Sequence, residues 1–280
     1  MKKAIFSFLF LFFHFVILVS PSYSQNTVSE NIVKNISTNE PKVYLFWGYN
    51  REFYSPSTIH FKNTTTDNYD FTFIDAKAVD RPDFQDIFSV GGLTVPQFNM
   101  HLGYLFGGKR NLGIEFSWDH LKYLVSDNQM IHVRGQIRGN KIDKDTLVTP
   151  DFVHLQHTNG NNYMMLSIVK KLNIYKKKHI EISALSKFGA GVLASYTISS
   201  VLGSYDNGHF RFHGFVTAAG LDLRVDLYRY FFLQMGLQLA YADYTTIELG
   251  ADHVGRAEHD FYSAQTMLGF GLNIPTSKRK

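Results

Sequence analysis

Residues 220–227 read GLDLRVDL, and the two parities of that stretch do not mix. Leu221, Leu223, Val225 and Leu227 fall on one; Asp222, Arg224 and Asp226 fall on the other. Period two is the mark of a strand with unlike faces. In a soluble sheet the charged face would meet water. In a spanning strand the greasy face meets lipid and the charges turn inward, because an Arg or Lys facing hydrocarbon near the midplane costs about 2–4 kcal/mol. The remaining segments decide between the two.

The same alternation recurs in pieces long enough to cross a bilayer as tilted strands. QFNMHLGYLF (97–106) sets Phe98, Met100, Leu102, Tyr104 and Phe106 against Gln97, Asn99, His101 and Gly103. NLGIEFSWDH (111–120) sets Leu112, Ile114, Phe116 and Trp118 against Gly113, Glu115, Ser117 and Asp119. HIEISALSKF (179–188), FFLQMGLQLAY (231–241) and YSAQTMLGFGLNI (262–274) behave alike, while VYLFWGYN (43–50) is apolar on both parities. A soluble sandwich rarely exposes so many tall aliphatic and aromatic rows.

Connections supply a second signal. Those at 107–110, 172–178 and 228–229 are short, and those at 51–96, 122–161, 191–210 and 244–261 are long and polar. Alternating tight turns and long loops are the asymmetry of an outer-membrane barrel, with turns in the periplasm and loops outside. The expectation is therefore an all-β, antiparallel transmembrane barrel of eight strands, at about 42–51, 97–106, 111–121, 162–172, 179–190, 211–226, 230–243 and 262–274. Residues 68–78 (NYDFTFIDAKA) also alternate and allow ten; they are read as a hairpin arm above the membrane. Aromatics near the strand ends, among them Tyr104, Trp118, Tyr228, Tyr230, Tyr241, Tyr244 and Tyr262, stand where girdles belong.

The N-terminus fits that destination. Lys2 and Lys3 precede an apolar run from Ala4 to Val19, and Ser22-Tyr23-Ser24 offers small residues at a cleavage site. Residues 1–24 thus read as a signal peptide, 25–41 as a periplasmic segment, 42–274 as the barrel and 275–280 as a basic tail. No later stretch has the roughly 18 apolar residues of a spanning helix. There is no cysteine, so export is not followed by disulfide stapling. The formal charge is +4, or +2 once Lys2 and Lys3 are removed, too little for a nucleic-acid binder.

Several stretches, WGYNREFYSPSTIHF (47–61), NYDFTFIDAKAVDRP (68–82), VPQFNMHLGYLF (95–106), WDHLKY (118–123) and HTNGNNY (157–163), resemble a largely uncharacterised family of outer-membrane β-barrel proteins of Bacteroidota. The resemblance implies location and fold and brings no established reaction. In place of the terminal aromatic of many such barrels stands the basic tail, so the insertion signal falls on FGLNI (270–274).

Three constellations are candidates for function. An eight-stranded barrel is just wide enough to be filled by its own side chains. Glu115, Asp119, Glu181, Asp222 and Asp226, with Lys187 and Arg224, are expected to form a paired plug rather than a pore. Tyr49, Asn50, Arg51, His120, Lys122 and Asn159 lie near the outer mouth, where cations could meet lipopolysaccharide phosphates. Finally, His157-Thr158-Asn159-Gly160 is similar to the His-x-Ser-Asn signature of barrel-borne lipid A deacylases. In that alternative His157 activates Thr158 and Glu181 orients the histidine, although strand neighbours point to opposite faces. His120, His132, His154, His157, His209, His213, His253 and His259 make the outer half histidine-rich, without metal-ligand spacing; solvated loop histidines are the expectation, and no cofactor is called for. The reading is a non-enzymatic envelope protein whose outer loops bind a surface ligand, a lipid or a partner protein.

Overall fold

The computed structural model describes residues 40–81 and 96–276. The proposed signal peptide, most of the segment after it and most of the basic tail lie outside the described residues. Within them fifteen strands follow in chain order. The first four are β1 (Lys42–Tyr54), β2 (Ser57–Asn63), β3 (Tyr69–Ala76) and β4 (Ala78–Val79). Next come β5 (Phe98–Leu105), β6 (Leu112–Val125), β7 (Gln129–Ile137) and β8 (Asn140–Val148). β9 (Val153–Lys177), β10 (Ile180–Tyr196), β11 (Ile198–Val201) and β12 (Ser204–Asp206) follow, and β13 (Phe210–Leu227), β14 (Phe231–Leu249) and β15 (Gly255–Pro275) complete the chain.

Eight of them close a ring in the order β1-β5-β6-β9-β10-β13-β14-β15, sealed by β1 against β15. Stepping sideways from Ser183 meets Arg224, Gln234, Gly269, Gly48, Asn99, Asp119 and Tyr163, and returns to β10 at Leu193, ten residues further on. At about 3.3 Å per residue and about 4.8 Å between strands, that offset tilts the strands by about 40° and gives a backbone radius of about 8 Å. Residues 69–76 stay out of the ring, so the count is eight and the ten-strand version is excluded.

Parity sets what each face meets. On β14, Phe231, Leu233, Met235, Leu237 and Leu239 are exposed, while Phe232, Gln234, Gln238, Ala240 and Ala242 are buried. From Phe231 to Tyr241 the outward row covers about 33 Å of strand and about 25 Å along the barrel axis. The same belt continues through Leu268, Phe270 and Leu272 on β15, Leu45 and Trp47 on β1, and Leu166 and Ile168 on β9. Above Tyr241 and Tyr262 the outward residues turn polar, with Asp243 and Thr245 on β14 and Asp260 and Glu258 on β15. Lys170 is the outward exception at the other end, and its Nζ donates to the Arg110 carbonyl in the adjoining turn at 2.6 Å. Tyr244, placed by its position among the girdle aromatics, instead points inward and is fully buried.

Beyond the belt, residues 69–76 form a hairpin arm with β2 as expected, and among the described residues the other segments expected to be loops are largely strands. β2 pairs with the upper part of β15 and with β3, β3 pairs with β7, and β7 pairs with β8. This sheet covers the mouth of the ring, burying Ile59, Phe61, Phe71 and Phe73 in an apolar core with Tyr123, Val153, Tyr244 and Ile247. Its other face carries Lys62, Arg134, Asp143 and Asp145. That polar face is why these segments read as loops: a strand bathed by water shows no lipid-facing row.

Close approach demands glycine at two inward positions. Tyr44 faces Gly103 across the β1–β5 pair, and a Cβ there would lie 2.0 Å from the ring. Gly271 does the same for Phe232, with 2.1 Å to the ring. The rings lie over bare backbone and reach the barrel centre. Gly103→Ala is expected to push Tyr44 aside and cost about 1–3 kcal/mol, measured as a lower temperature at which the folded band on an unheated gel converts to the unfolded one.

Candidate functional site

The inside of the ring divides into two tiers. At the end with the short turns, ionised side chains of both signs are closely paired. Lys187 Nζ donates to both oxygens of Glu115 at 2.8 and 3.0 Å and forms an ion pair with Asp222 at 2.7 Å. Glu115 also accepts from the Tyr44 hydroxyl at 2.6 Å, and His101 bridges Glu115 and Asp119 at 3.3 and 2.8 Å. Asn99 and Gln238 donate to Asp119, and Gln234 donates to Asp222.

A second group lies nearer the turns. Arg224 pairs with Asp226 at 2.9 Å and bonds Asn273, and its guanidinium sits 3.4 Å from the Phe232 ring centroid. Lys42 and Lys171 approach Asp226 from other strands, and Lys171 also bonds Glu181. All seven residues expected in the lumen face inward, joined by Tyr44, Lys42, Lys171 and His101. Lys171 was available to the same parity reading, since it shares its face with Tyr163, Met165 and Val169. Opposite charges at these distances, with Tyr44, Asn99, Gln234, Gln238 and Asn273 bonding the carboxylates among them, offset the heavy desolvation that enclosure imposes. The arrangement fills the lumen and fixes strand register. Lys187→Met would leave Glu115 and Asp222 enclosed without their shared cation. The expected cost is about 3–5 kcal/mol, read from the urea midpoint in detergent.

Of the proposed rim residues, the structure separates two groups. Tyr49, Arg51 and Asn159 are exposed, and Arg51 Nε donates to Asp80 at 2.7 Å. Asn50 points into the lumen and bonds Gln97 and Asn99, as its parity with Tyr44 and Phe46 requires. His120 is buried, stacked on Phe98 with ring centroids 5.0 Å apart and bonded to Asn162, which also accepts from the Trp118 indole. Lys122 is buried beside the bulge in the β6–β9 register. These three are therefore not rim contacts.

Above the belt the lumen becomes aromatic. His157 is fully buried, stacked on Tyr244 at 4.6 Å with an interplanar angle of 2° and on Tyr123 at 5.6 Å. His259 stacks on the same Tyr244 at 4.9 Å. Each imidazole is anchored through Nδ1, His157 on Thr197 Oγ1 at 2.8 Å and His259 on Ser57 Oγ at 3.0 Å. The hydroxyl that meets His157 is thus not its neighbour Thr158. Glu181 lies at the turn end, across from Asp226, so the three residues of the hydrolase alternative are not brought together. Thr197 is 3% exposed and Ser57 1%, which closes both hydroxyls to a bulky acyl substrate. Thr197 and Ser57 carry no local sequence signal; only the pairing of distant strands identifies them.

His120, His157, His213 and His259 are buried rather than solvated, whereas His132, His154, His209 and His253 are partly exposed. Among the described residues no three of His, Asp or Glu converge to hold a metal. Burial pushes the His259 pKa down to about 3, and burial with the nearby His259 and His213 rings holds His157 well below the ordinary histidine value. His132, on the exposed face of β7, is shifted the other way by hydrogen bonds to Asp145 and Asp143. For the buried pair the sign is clear. As pH falls from the ordinary histidine value toward 3, the unfolded chain takes up protons that the folded core refuses, so the covering sheet loses stability. A drop from neutral to about pH 4 is expected to cost on the order of a few kcal/mol. Amide exchange in β2 and β3, corrected for intrinsic rates, should accelerate accordingly, and His259→Phe should flatten the dependence.

No protein-family model matches this chain, and no curated protein matches it by sequence. Among solved structures it is similar to the attachment invasion locus protein Ail of Yersinia pestis, crystallised with the heparin analogue sucrose octasulfate. The identity is 11% and the TM-score 0.31, covering 85% of this chain and 99% of that one. The outer membrane protein OprG from Pseudomonas aeruginosa gives 10% and 0.36, over 85% and 97% of the two chains. The outer membrane protease OmpT from Escherichia coli gives 9% and 0.33, over 90% and 100%. The closed ring, rather than these distant likenesses, defines the fold.

Proposed function

We propose that this chain is an outer-membrane β-barrel whose role is exercised at the cell surface without catalysis. The supporting observation is the belt: a continuous outward apolar surface about 25 Å tall on a closed ring, the dimension of a barrel's hydrocarbon-facing band. The polar residues beyond Tyr241 and Tyr262 then stand at the outer headgroups, and the covering sheet projects outside the cell. Export by residues 1–24 belongs to the same reading. The packed ion pairs argue against a diffusion channel, and the enclosed His157–Thr197 pair argues against acyl hydrolysis. What remains for function is the exterior. The projecting sheet β2-β3-β7-β8 offers a surface ligand or partner protein an exposed charged face, and the belt offers outer-membrane lipids, lipopolysaccharide included, an apolar one.

Three measurements test this. The purified protein should run faster on an unheated detergent gel than after boiling. Planar-bilayer recordings should show no stable conductance. Lipid A from cells with and without the gene should have the same acyl pattern. A single gel position regardless of heating would remove the barrel from the membrane, steady single-channel steps would overturn the plug, and a lost acyl chain would restore the hydrolase.

A further inference from the structure

Four adjacent strands of the belt carry a groove, and at its upper end stands a guanidinium. Side-chain rows run across β13, β14, β15 and β1 in register. One is Leu221–Leu237–Thr266–Arg51, and the row beneath it includes Met235, Leu268 and Tyr49. The depression between them is almost wholly apolar. Its cause is Thr266: a short side chain stands where its neighbours are leucine and arginine, so the wall dips at that point. Because the strands tilt by about 40°, such a row climbs the barrel obliquely. It begins on Leu221 and Leu237 in the belt and ends on Arg51 toward the outer polar boundary.

Arg51 is held at one edge of its guanidinium. Its Nε donates to Asp80 Oδ2 at 2.7 Å, and the Asp80 carboxylate, its side chain 5% exposed, also accepts the Glu52 backbone N–H at 3.1 Å. Asp80 is thereby fixed, and it grips the guanidinium by its side edge. The Arg51 side chain remains 55% exposed. A guanidinium has five N–H donors in a fork, and its terminal edge is the one that matches phosphate bidentately.

We propose that this groove is a binding site for one anionic, phosphate-bearing lipid, with an acyl chain lying along Leu221, Leu237 and Thr266 and the phosphate on the terminal edge of Arg51. It rests on the reading that the belt faces a bilayer, and it names what one part of that belt retains. The groove is continuous with the lipid-facing surface, so the occupant is a bilayer lipid; the positive end selects an anionic headgroup over a neutral one. Thr266 makes room and Arg51 supplies the charge.

The test is native mass spectrometry of the full-length protein in mild detergent, titrated with phosphatidylglycerol, with diacylglycerol or with inorganic phosphate. Wild-type protein is expected to hold one phosphatidylglycerol. Arg51→Gln should weaken that lipid about tenfold and leave diacylglycerol retention unchanged, whereas Thr266→Phe, which fills the groove, should weaken both about tenfold. Inorganic phosphate alone should neither bind nor compete. Equal retention by wild type and both variants overturns the site, as does displacement of the lipid by inorganic phosphate. Heat-modifiable mobility of the same samples keeps the outcomes apart. If mobility persists while retention is indifferent to the variants, the groove fails and the barrel stands; if mobility is absent in wild type, the membrane reading itself has failed.

Discussion

The interior of this ring is set by the ten-residue offset with which it closes, since that offset fixes a backbone radius of about 8 Å. A space of that width is filled by side chains from its own wall. Inward charged residues therefore meet partners from other strands, and these cannot be chosen alone. Lys187 from β10 lies between Glu115 of β6 and Asp222 of β13 because only a long cation reaches both. Tyr44 reaches Glu115 because Gly103 leaves its ring room. The polar tier amounts to a set of mutual requirements that one register satisfies, and a slip by one residue would turn its charges outward.

The change from polar to aromatic interior occurs where the outside changes in the opposite sense. Within the belt the wall is greasy outside, and inside it carries the ion pairs together with a small apolar cluster around Phe46 and Phe232. Beyond Tyr241 and Tyr262 the outer face gains Asp243, Asp260 and Glu258, and the inner face gains Tyr244, Ile247 and Phe261. The same strands thus invert their polarity partway along. The inversion follows from solvent: a strand in water hides its apolar row, and a strand in hydrocarbon displays it. His157 and His259 are tolerated in the upper core because each neutral ring can stack and spend one nitrogen on a hydroxyl.

This inversion also explains what could be read from the chain. The eight ring strands were legible because a lipid-facing row such as Phe231 to Tyr241 is too long and too regular to belong to a water-soluble sheet. The lumen charges followed by parity, whereas Asn50 reads as a rim residue because VYLFWGYN is apolar on both parities, and only its bonds to Gln97 and Asn99 turn it inward. Of the covering sheet only the hairpin arm at 68–78 was legible, from its alternation; β7 and β8 were not, because their short buried rows stand opposite polar ones. The candidate site was less visible still. Thr197 meets His157 and Ser57 meets His259 across separations of 40 and 202 residues. Such pairs are fixed by which strands neighbour one another, and no local spacing records them.

β15 is shared between the ring and the sheet above it. Its lower stretch pairs with β1 from Lys42↔Pro275 to Tyr54↔Ser263, and its upper stretch pairs with β2 from Ile59↔His259 to Lys62↔Arg256. Because β15 follows all the other strands in the chain, neither the seam of the cylinder nor the anchorage of its cover can form until nearly the whole polypeptide has been delivered. Closing the wall and anchoring the cover therefore both wait on the final strand, and a chain still lacking β15 has neither a sealed wall nor a seated lid.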